Sequence, residues 1–187
     1  MIELVPQDGY RYGYRVWSEK STGMLLKVQT MDAAGRVMEQ SAFSEVELDA
    51  PVSMETLKTA MGRTEGYRMV ERSVASTTAD AEGWTLKAGV PGFKGMSCFR
   101  RTTPATSASS PQMMHWVFSD GLASVSLFVE AFDPRRHVGE SVLLDGATRT
   151  LTKRLTDRRG GQWWLTAVGE VPTRTLQAFA GSLERSR

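Results

Sequence analysis

The feature that most restricts the fold of this 187-residue chain is a pair of segments at 113–118 and 122–132, the second of which alternates in polarity. In the second segment, apolar residues at odd positions alternate with Ser124, Ser126 and Phe128 at even positions. A period of two is that of a β-strand with one buried face. The Ser-Asp-Gly sequence between the segments favours a turn. The two segments therefore predict an antiparallel hairpin with one apolar face.

The rest of the second half predicts a sheet around this hairpin. Residues 147–155 and 162–171 flank a turn rich in glycine and charge and predict a second hairpin. Apolar residues lie on both faces of 162–171, which indicates a central strand. Short strands are predicted at 84–87 and 96–102. Residues 103–111, rich in Ser, Thr, Ala and Pro, predict an exposed loop.

The first part of the chain predicts a meander of three antiparallel strands. These strands are residues 10–17, 24–31 and 37–48, and turn signals separate them. Such a sheet is stable only when one face is covered. Residues 1–9 are too few to supply neighbours for both edges. A short helix with an N-cap serine is predicted at 53–61.

The final helix indicates the fold class, and the segment between the two sheets indicates the division into units. Residues 172–183 begin with proline and carry apolar residues at the i, i+3, i+4, i+7 spacing of a helix that packs on a sheet. We therefore predict an α+β fold rich in antiparallel sheet, with a meander followed by a small sheet that a C-terminal helix covers. The predicted units are residues 1–63 and 82–187, joined by a polar linker at 64–81.

The residues that an enzyme needs are poorly represented. The only histidines are His115 in an apolar strand and His137 in a charged loop, and the only cysteine is Cys98. Neither histidine has metal-site spacing, so both are assigned structural roles. Cys98 is interpreted as a packed small hydrophobe, and Ser119-Asp120 lacks the Gly-x-Ser-x-Gly nucleophile elbow. We therefore expect no catalytic residue, no metal and no cofactor.

The formal charge is distributed unevenly along the chain. Residues 1–79 carry 9 Lys and Arg against 11 Asp and Glu, whereas residues 80–187 carry 14 against 10. This asymmetry favours an anionic partner for the second half. The candidate site for phosphate or carboxylate groups consists of Lys94, Arg100, Arg101, Arg135, Arg136, Arg149, Lys153 and Arg154. The competing interpretation is a solvated surface, and nucleic acid is not expected because no recognition motif accompanies the charge.

Aromatic residues are concentrated near the start of the chain. Tyr10, Tyr12 and Tyr14 recur with a period of two, and Trp17 follows in the same segment. These four side chains are candidates for the wall of a hydrophobic cavity that holds an acyl chain. The alternative is that they belong to the core of a larger sheet.

Several motifs together resemble one known family. Ser119–Ser126 and Gly169-Glu-Val-Pro172 carry the most specific part of this resemblance, and Pro91-Gly-Phe93 adds to it. These motifs look like the C-terminal domain of the RseB/MucB family of periplasmic regulators of the sigma-E response. The meander at 10–40 resembles the closing strands of the family's lipoprotein-carrier-like half-barrel. The resemblance thus covers nearly the whole chain.

The resemblance implies a negative regulator of the envelope stress response. Proteins of this family bind the periplasmic region of a membrane anti-sigma factor and protect it from proteolysis. Lipopolysaccharide or mislocalised lipoprotein is the releasing signal that the resemblance implies. The basic clusters suit both an acidic peptide and lipid A phosphates. The alternative is a lipid or lipoprotein carrier with a hydrophobic cavity.

The resemblance also implies a location and a larger protein. The first residues lack the basic and apolar regions of a secretory signal. We therefore expect a periplasmic protein of which this chain is a fragment. A truncated half-barrel exposes apolar edges, which makes a homo-oligomer a further expectation.

Overall fold

The computed structural model describes residues 1–67, 74–102 and 112–185. Within these residues the chain forms thirteen strands and two helices, and all the strand pairs are antiparallel. The strands are β1 Ile2–Leu4, β2 Gly13–Ser18, β3 Leu25–Met31, β4 Val37–Ala42, β5 Val74–Thr77, β6 Trp84–Leu86, β7 Lys94–Thr102, β8 Gln112–Ser119, β9 Ser124–Ala131, β10 Ser141–Asp145, β11 Thr148–Thr156, β12 Gln162–Gly169 and β13 Leu183–Arg185. The helices are α1 Met54–Gly62 and α2 Thr173–Ser182. The predicted α+β class is confirmed.

The first sheet contains the predicted meander and one further strand. Its order is β1-β2-β3-β4. Residues 1–9 supply a neighbour for one edge of the meander, and β4 stays at the edge of this sheet, which agrees with the expectation that they are too few for both edges. Ile2 lies opposite Val16 in the antiparallel β1–β2 pair, because the chain reverses at residues 5–12 and returns along β2. The third predicted strand ends at Ala42, and residues 43–48 are exposed.

The short helix α1 follows the first sheet and precedes the second sheet in the sequence, and it is exposed on the surface. The Ser53 side chain accepts a hydrogen bond from the Thr56 N–H at 3.3 Å, which confirms the predicted N-cap. None of its residues is buried. In the described part of the chain, neither helix has the length and apolar composition needed to cross a membrane.

The segment predicted as a linker contributes a strand to the second sheet. Within residues 64–81, β5 pairs with β7, and Thr77 lies opposite Cys98. Residues 68–73 of this segment and the predicted loop at 103–111 lie outside the described residues. The division at 64–81 stays a prediction.

The second sheet has the order β10-β11-β12-β9-β8-β7-β5. Both predicted hairpins are confirmed as the pairs β8–β9 and β11–β12. The predicted central strand is also confirmed, because β12 lies between β11 and β9. Sequence reasoning missed β10, which pairs with β11, and β13, which pairs with β6 in a separate two-stranded sheet.

The core lies between one face of the second sheet and α2. Leu176 and Phe179 on α2, and Leu127 and Leu165 on the sheet, are fully buried. The rings of Phe179 and Phe93 pack edge to face at 5.7 Å. Burying side chains of this size stabilises the fold by roughly 1.5–3 kcal/mol each. The apolar stripe of the final helix therefore docks as the sequence predicts.

Candidate functional site

The two sheets meet at a junction that includes Arg11. The Arg11 Nε donates to Asp120 Oδ2 at 2.7 Å, and its Nη2 donates to the Pro91 carbonyl at 2.6 Å. Its guanidinium also contacts the Asp8 carboxylate and lies 5.3 Å from the centre of the Phe93 ring. Only 6% of the Asp120 side chain is exposed. Arg11 therefore ties the first sheet to two loops of the second unit.

Asp120 holds its own turn as well as Arg11. Its Oδ1 accepts hydrogen bonds from the N–H groups of Leu122 and Ala123 at 3.0 and 2.8 Å, while Oδ2 faces Arg11. Burial alone raises the pKa of Asp120, but these two N–H groups and the Arg11 guanidinium together bring that pKa below its usual value. The carboxylate is therefore ionised at neutral pH. Sequence reasoning assigned Asp120 only to the turn and missed this contact.

Three tyrosines at the start of the chain extend the junction: Tyr14 lies in β2, whereas Tyr10 and Tyr12 precede that strand, which begins at Gly13 and not at residue 10 as predicted. The fully buried Thr175 donates its hydroxyl to the Tyr10 carbonyl at 2.8 Å. The Tyr12 ring is buried with the Arg149 guanidinium 5.8 Å from its centre. Burial, followed by the charges of Glu170 and Asp120, raises the pKa of Tyr14 to about 12. Tyr10 and Tyr12 thus contact the second unit, and the charges of two carboxylates of that unit act on Tyr14.

Trp17, the fourth aromatic residue predicted for an acyl-chain cavity, lies apart from this contact. The Lys27 ammonium group lies 4.6 Å from the centre of the Trp17 ring. Because Tyr14 and Trp17 are three positions apart on β2, their side chains lie on opposite faces of that strand. The structure therefore brings the three tyrosines to the junction and does not bring Trp17 with them. The role of the four residues in acyl-chain binding stays a prediction.

A second contact between the first sheet and the second unit lies at the β10–β11 turn. The Glu39 side chain on β4 accepts a hydrogen bond from the Ala147 N–H at 3.1 Å. Gly146 has φ +54°, and a Cβ there would lie 2.8 Å from Glu39 Oε2, so this position favours glycine. Arg149 is 9% exposed and donates to the Gly146 and Thr148 carbonyls. Its guanidinium therefore belongs to the junction.

The eight basic residues predicted as a site are dispersed over the second unit. Five of them bind other groups: Arg100 pairs with Glu82, Arg135 with Asp133, Arg136 with Glu130, Arg149 with two carbonyls, and Arg154 with Gln162. Lys94 and Lys153 are exposed. Lys94 and Arg101 lie toward opposite ends of β7, seven residues apart, which corresponds to about 23 Å along a strand. The structure therefore does not gather the eight residues into one cluster.

The face of the second sheet opposite α2, here called the outer face, carries both histidines and several aromatic rings. His115 is 8% exposed and stacks on Phe128 with ring centres 4.2 Å apart. His137 stacks on Trp164 at 4.8 Å, and its Nε2 lies 3.3 Å from Glu130 Oε1. In the described part of the chain, no three His, Cys, Asp or Glu side chains are grouped as metal ligands.

Cys98 lies on the core side of the same sheet. Its side chain is buried, as the sequence predicts. Burial, and to a smaller extent the Glu82 charge, raises the pKa of the Cys98 thiol to about 11. The thiol is therefore protonated at neutral pH and is a poor nucleophile.

Comparison with known protein families agrees with this architecture in both units. Residues 1–61 match the MucB/RseB N-terminal domain, and residues 78–184 match the MucB/RseB C-terminal domain. The chain belongs to the MucB/RseB family. The resemblance carried by Ser119–Ser126 and Gly169–Pro172 is thereby confirmed.

Two curated relatives and one solved structure show how far this similarity extends. The sigma factor AlgU regulatory protein MucB of Pseudomonas aeruginosa is 28% identical over 98% of this chain and 55% of the relative. The sigma-E factor regulatory protein RseB of Escherichia coli is 29% identical over 98% of this chain and 54% of the relative. A crystal structure of MucB in complex with MucA(peri) matches with a TM-score of 0.75 and 25% identity, over 99% of this chain and 61% of that chain. The chain spans about half the length of the curated relatives it matches.

Proposed function

We propose that this chain is the binding part of a periplasmic regulator that holds the periplasmic region of an anti-sigma factor and shields it from proteolysis. The observation that carries the proposal is the match of both units to the MucB/RseB family, together with the likeness to MucB bound to MucA(peri) over 99% of the chain. Both curated relatives are named as regulatory proteins. The mechanism is occupancy of the partner with no covalent step, and lipopolysaccharide or mislocalised lipoprotein is the proposed releasing signal.

The junction supports this proposal because it holds the two units in one arrangement. The Arg11–Asp120, Thr175–Tyr10 and Ala147–Glu39 hydrogen bonds connect residues more than 100 positions apart in sequence. A surface composed of both units is then largely formed before binding. A preformed surface loses less conformational entropy when a flexible peptide docks on it.

The test is calorimetric titration of the folded chain with the periplasmic segment of its organism's anti-sigma factor at two salt concentrations. We expect saturable binding that weakens as salt increases, because exposed basic residues contribute to the contact. The double variant Lys153→Gln with Arg154→Gln should reduce both the affinity and its salt dependence. The matched control is Lys87→Gln, since Lys87 is exposed and pairs with Glu184 near the end of α2. The absence of binding by the folded wild-type chain would overturn the proposal.

Lipid carriage is the second candidate function. A groove of about 210 Å³ on the first sheet is lined mainly by apolar groups, among them Leu25, Val28 and Phe43. Ligand pockets that enclose a whole small molecule are larger, roughly 300–1,000 Å³, so this groove fits only part of an acyl chain. Mass spectrometry of an organic extract of the purified chain tests this candidate. A stoichiometric acyl lipid would favour it.

Self-association through the apolar surface of the first sheet also stays a proposal. Leu25 and Phe43 are 47% and 58% exposed, and side chains of this kind favour contacts between copies. Sedimentation velocity over a range of chain concentrations measures this association directly. A single monomer boundary at all concentrations would contradict it.

A further inference from the structure

The two segments Ser119–Ser126 and Gly169–Pro172 meet at one cavity of the second sheet. This cavity has a volume of about 340 Å³ and is open to solvent. Four of its eight lining residues come from the first segment and two from the second, and Thr148 and Val168 complete it. Pockets of roughly 300–1,000 Å³ hold small organic groups. The cavity is therefore large enough for one side chain of a partner.

The strand register explains why these residues share one cavity. Gly169 ends β12, which lies between β9 and β11. The two ladders pair Gly169 with the residue after Ser124 and with the residue after Thr148. Because both pairs are antiparallel, Glu170 comes alongside Ser124 on one side and Thr148 on the other, with about 5 Å between neighbouring strands. Three polar side chains thus stand in a row across three strands at the end of the sheet.

These three side chains have free hydrogen-bonding capacity. The Glu170 side chain is exposed and makes no hydrogen bond or ion pair within the described residues. The Ser124 and Thr148 hydroxyls also make no hydrogen bond there. By contrast, Ser126 Oγ lies 3.0 Å from the His115 Nε2 and has a partner. One carboxylate and two hydroxyls are therefore available to a ligand in this cavity.

The charge of the cavity is negative. Among the described residues that line it, Glu170 is the one with a charged side chain. Arg149 follows Thr148 on β11, but adjacent residues of a strand point to opposite faces, and its guanidinium donates to the Gly146 and Thr148 carbonyls. Arg11 binds Asp120. These two arginines of the junction are thus engaged elsewhere, so the ligand that complements the cavity is a cation.

We propose that this cavity binds one cationic side chain, lysine or arginine, of a bound peptide, with Glu170 as its counter-ion. The inference rests on the proposed function and identifies a basic residue of the anti-sigma segment as the ligand group. Ammonium and guanidinium groups only donate hydrogen bonds, so they match a carboxylate and two hydroxyl oxygens.

The apolar part of the cavity fits the stem of such a side chain. Lysine and arginine carry a chain of methylene groups that packs along apolar surface while the charged end stays polar. Leu122, which is 66% exposed, and Val168 supply that surface. A lipid A phosphate does not match the cavity, because the Glu170 carboxylate repels it.

The first test titrates the wild-type chain with small probes of known charge. N-acetyl-arginine amide and N-acetyl-lysine amide are added while NMR follows the backbone amide signals of Ser124, Thr148 and Glu170. We expect saturable shifts with the cationic probes and none with N-acetyl-glutamate amide. Shifts that do not saturate with either cation, or that are equally large with the anionic probe, would overturn the cation site. This test does not depend on the folding of a variant.

The second test measures the affinity of variants for the anti-sigma segment. Glu170→Gln should weaken binding about threefold to tenfold, since an accessible charge-assisted contact is lost. Glu170→Lys should weaken it further, because it places a positive charge against the bound cation. The Glu170 side chain is exposed and without a partner in the described part of the chain, so both variants should fold. Near-UV circular dichroism checks this.

The matched control is Glu184→Gln. Glu184 pairs with Lys87 and Arg158. Arg158 lies in the β11–β12 turn, at the other end of β12 from the cavity, which is about 25 Å along the strand. The control removes the same carboxylate far from the cavity and should leave the affinity unchanged.

The outcomes separate this inference from the proposed function. A chain that responds to the cationic probes but does not bind the segment would overturn the proposed function and the peptide assignment. A chain that binds the segment but does not respond to the probes, with Glu170→Gln equally tight, would overturn only the cation site. A response to the probes together with equal affinities of wild type and Glu170→Gln for the segment would contradict the assignment of the segment to this cavity.

Discussion

Asp120→Asn tests whether the junction makes a measurable contribution to stability. The substitution keeps Oδ1, which accepts the hydrogen bonds of Leu122 and Ala123 within the turn. It replaces the oxygen that faces Arg11 with an amide NH₂ group, which cannot accept the Arg11 hydrogen bond. The turn is therefore preserved while the contact between the two units is lost.

The size of the effect follows from the burial of the pair. Breaking a fully buried ion pair costs about 3–5 kcal/mol, whereas an exposed pair contributes about 0–1 kcal/mol. Asp120 is 6% exposed, but Arg11 is 22% exposed and keeps its bond to the Pro91 carbonyl. We therefore expect the free energy of unfolding to fall by about 2 kcal/mol. For a chain of this size, that corresponds to a decrease of about 4–8 °C in Tm.

The assay is urea unfolding followed by tryptophan fluorescence at pH 7. The matched control is Arg15→Gln, because the Arg15–Glu3 pair has side chains that are 35% and 41% exposed. This control should cost less than about 1 kcal/mol. A double-mutant cycle with Arg11→Met isolates the pair. The reasoning is refuted if Asp120→Asn costs no more than the control, or if the two junction substitutions are additive.

The same pair predicts a dependence of stability on pH. The pKa of Asp120 is lowered in the folded chain. Its contribution is therefore complete above the unfolded pKa of about 3.9 and is lost as pH falls through the folded pKa. The stability difference between wild type and Asp120→Asn should shrink over this acidic range. A difference that stays constant down to pH 2 would contradict the assignment.

Three further predictions concern single groups. Thr175→Val should lower the free energy of unfolding by about 1–2 kcal/mol, because the hydrogen bond from the buried Thr175 hydroxyl to the Tyr10 carbonyl is lost, whereas Thr175→Ser should cost less. With a pKa of about 11, the Cys98 thiol should react with iodoacetamide at pH 8 roughly a hundredfold more slowly than the unfolded thiol. Alkaline absorbance titration should show one phenol that ionises near pH 12 and is absent from Tyr14→Phe. Because the unfolded phenol ionises near pH 10, the Tyr14 contribution to stability is lost as pH rises above about 10.

Each of these three predictions has a clear contradicting result. Equal unfolding free energies for Thr175→Val and Thr175→Ser would show that the hydroxyl does not matter. Rapid alkylation of Cys98 in folded chain would show that the thiol is accessible and ionised. Identical titration curves for wild type and Tyr14→Phe above pH 11 would show that the late phenol is a different tyrosine.

The strands that sequence reasoning found are those whose pattern is local. In β9 the odd positions enter the core and the even positions form the outer face, as the alternation predicts. A strand pattern repeats every two residues, so a few neighbouring residues are enough to reveal it. By contrast, β10 reads Ser-Val-Leu-Leu-Asp and is exposed along its length, so it carries no such alternation.

The contacts that sequence reasoning missed are those between distant residues. Arg11 and Asp120 are 109 positions apart, and Thr175 and Tyr10 are 165 apart. No pattern among neighbouring residues in the sequence predicts a contact between two residues so far apart. The basic residues show the same difference, because Arg149 is enclosed at the junction while Lys153 on the same strand is exposed.

The sequence alone therefore determined the order of the main strands, the apolar face of the final helix and the family to which the chain belongs. These properties depend on short-range periodicity and on motifs of a few residues. Only the tertiary structure decided that Tyr10 and Tyr12 contact the second unit and that most of the predicted basic residues already have partners. The physical reason is that the environment of a charge depends on side chains that are remote along the chain and close only after folding.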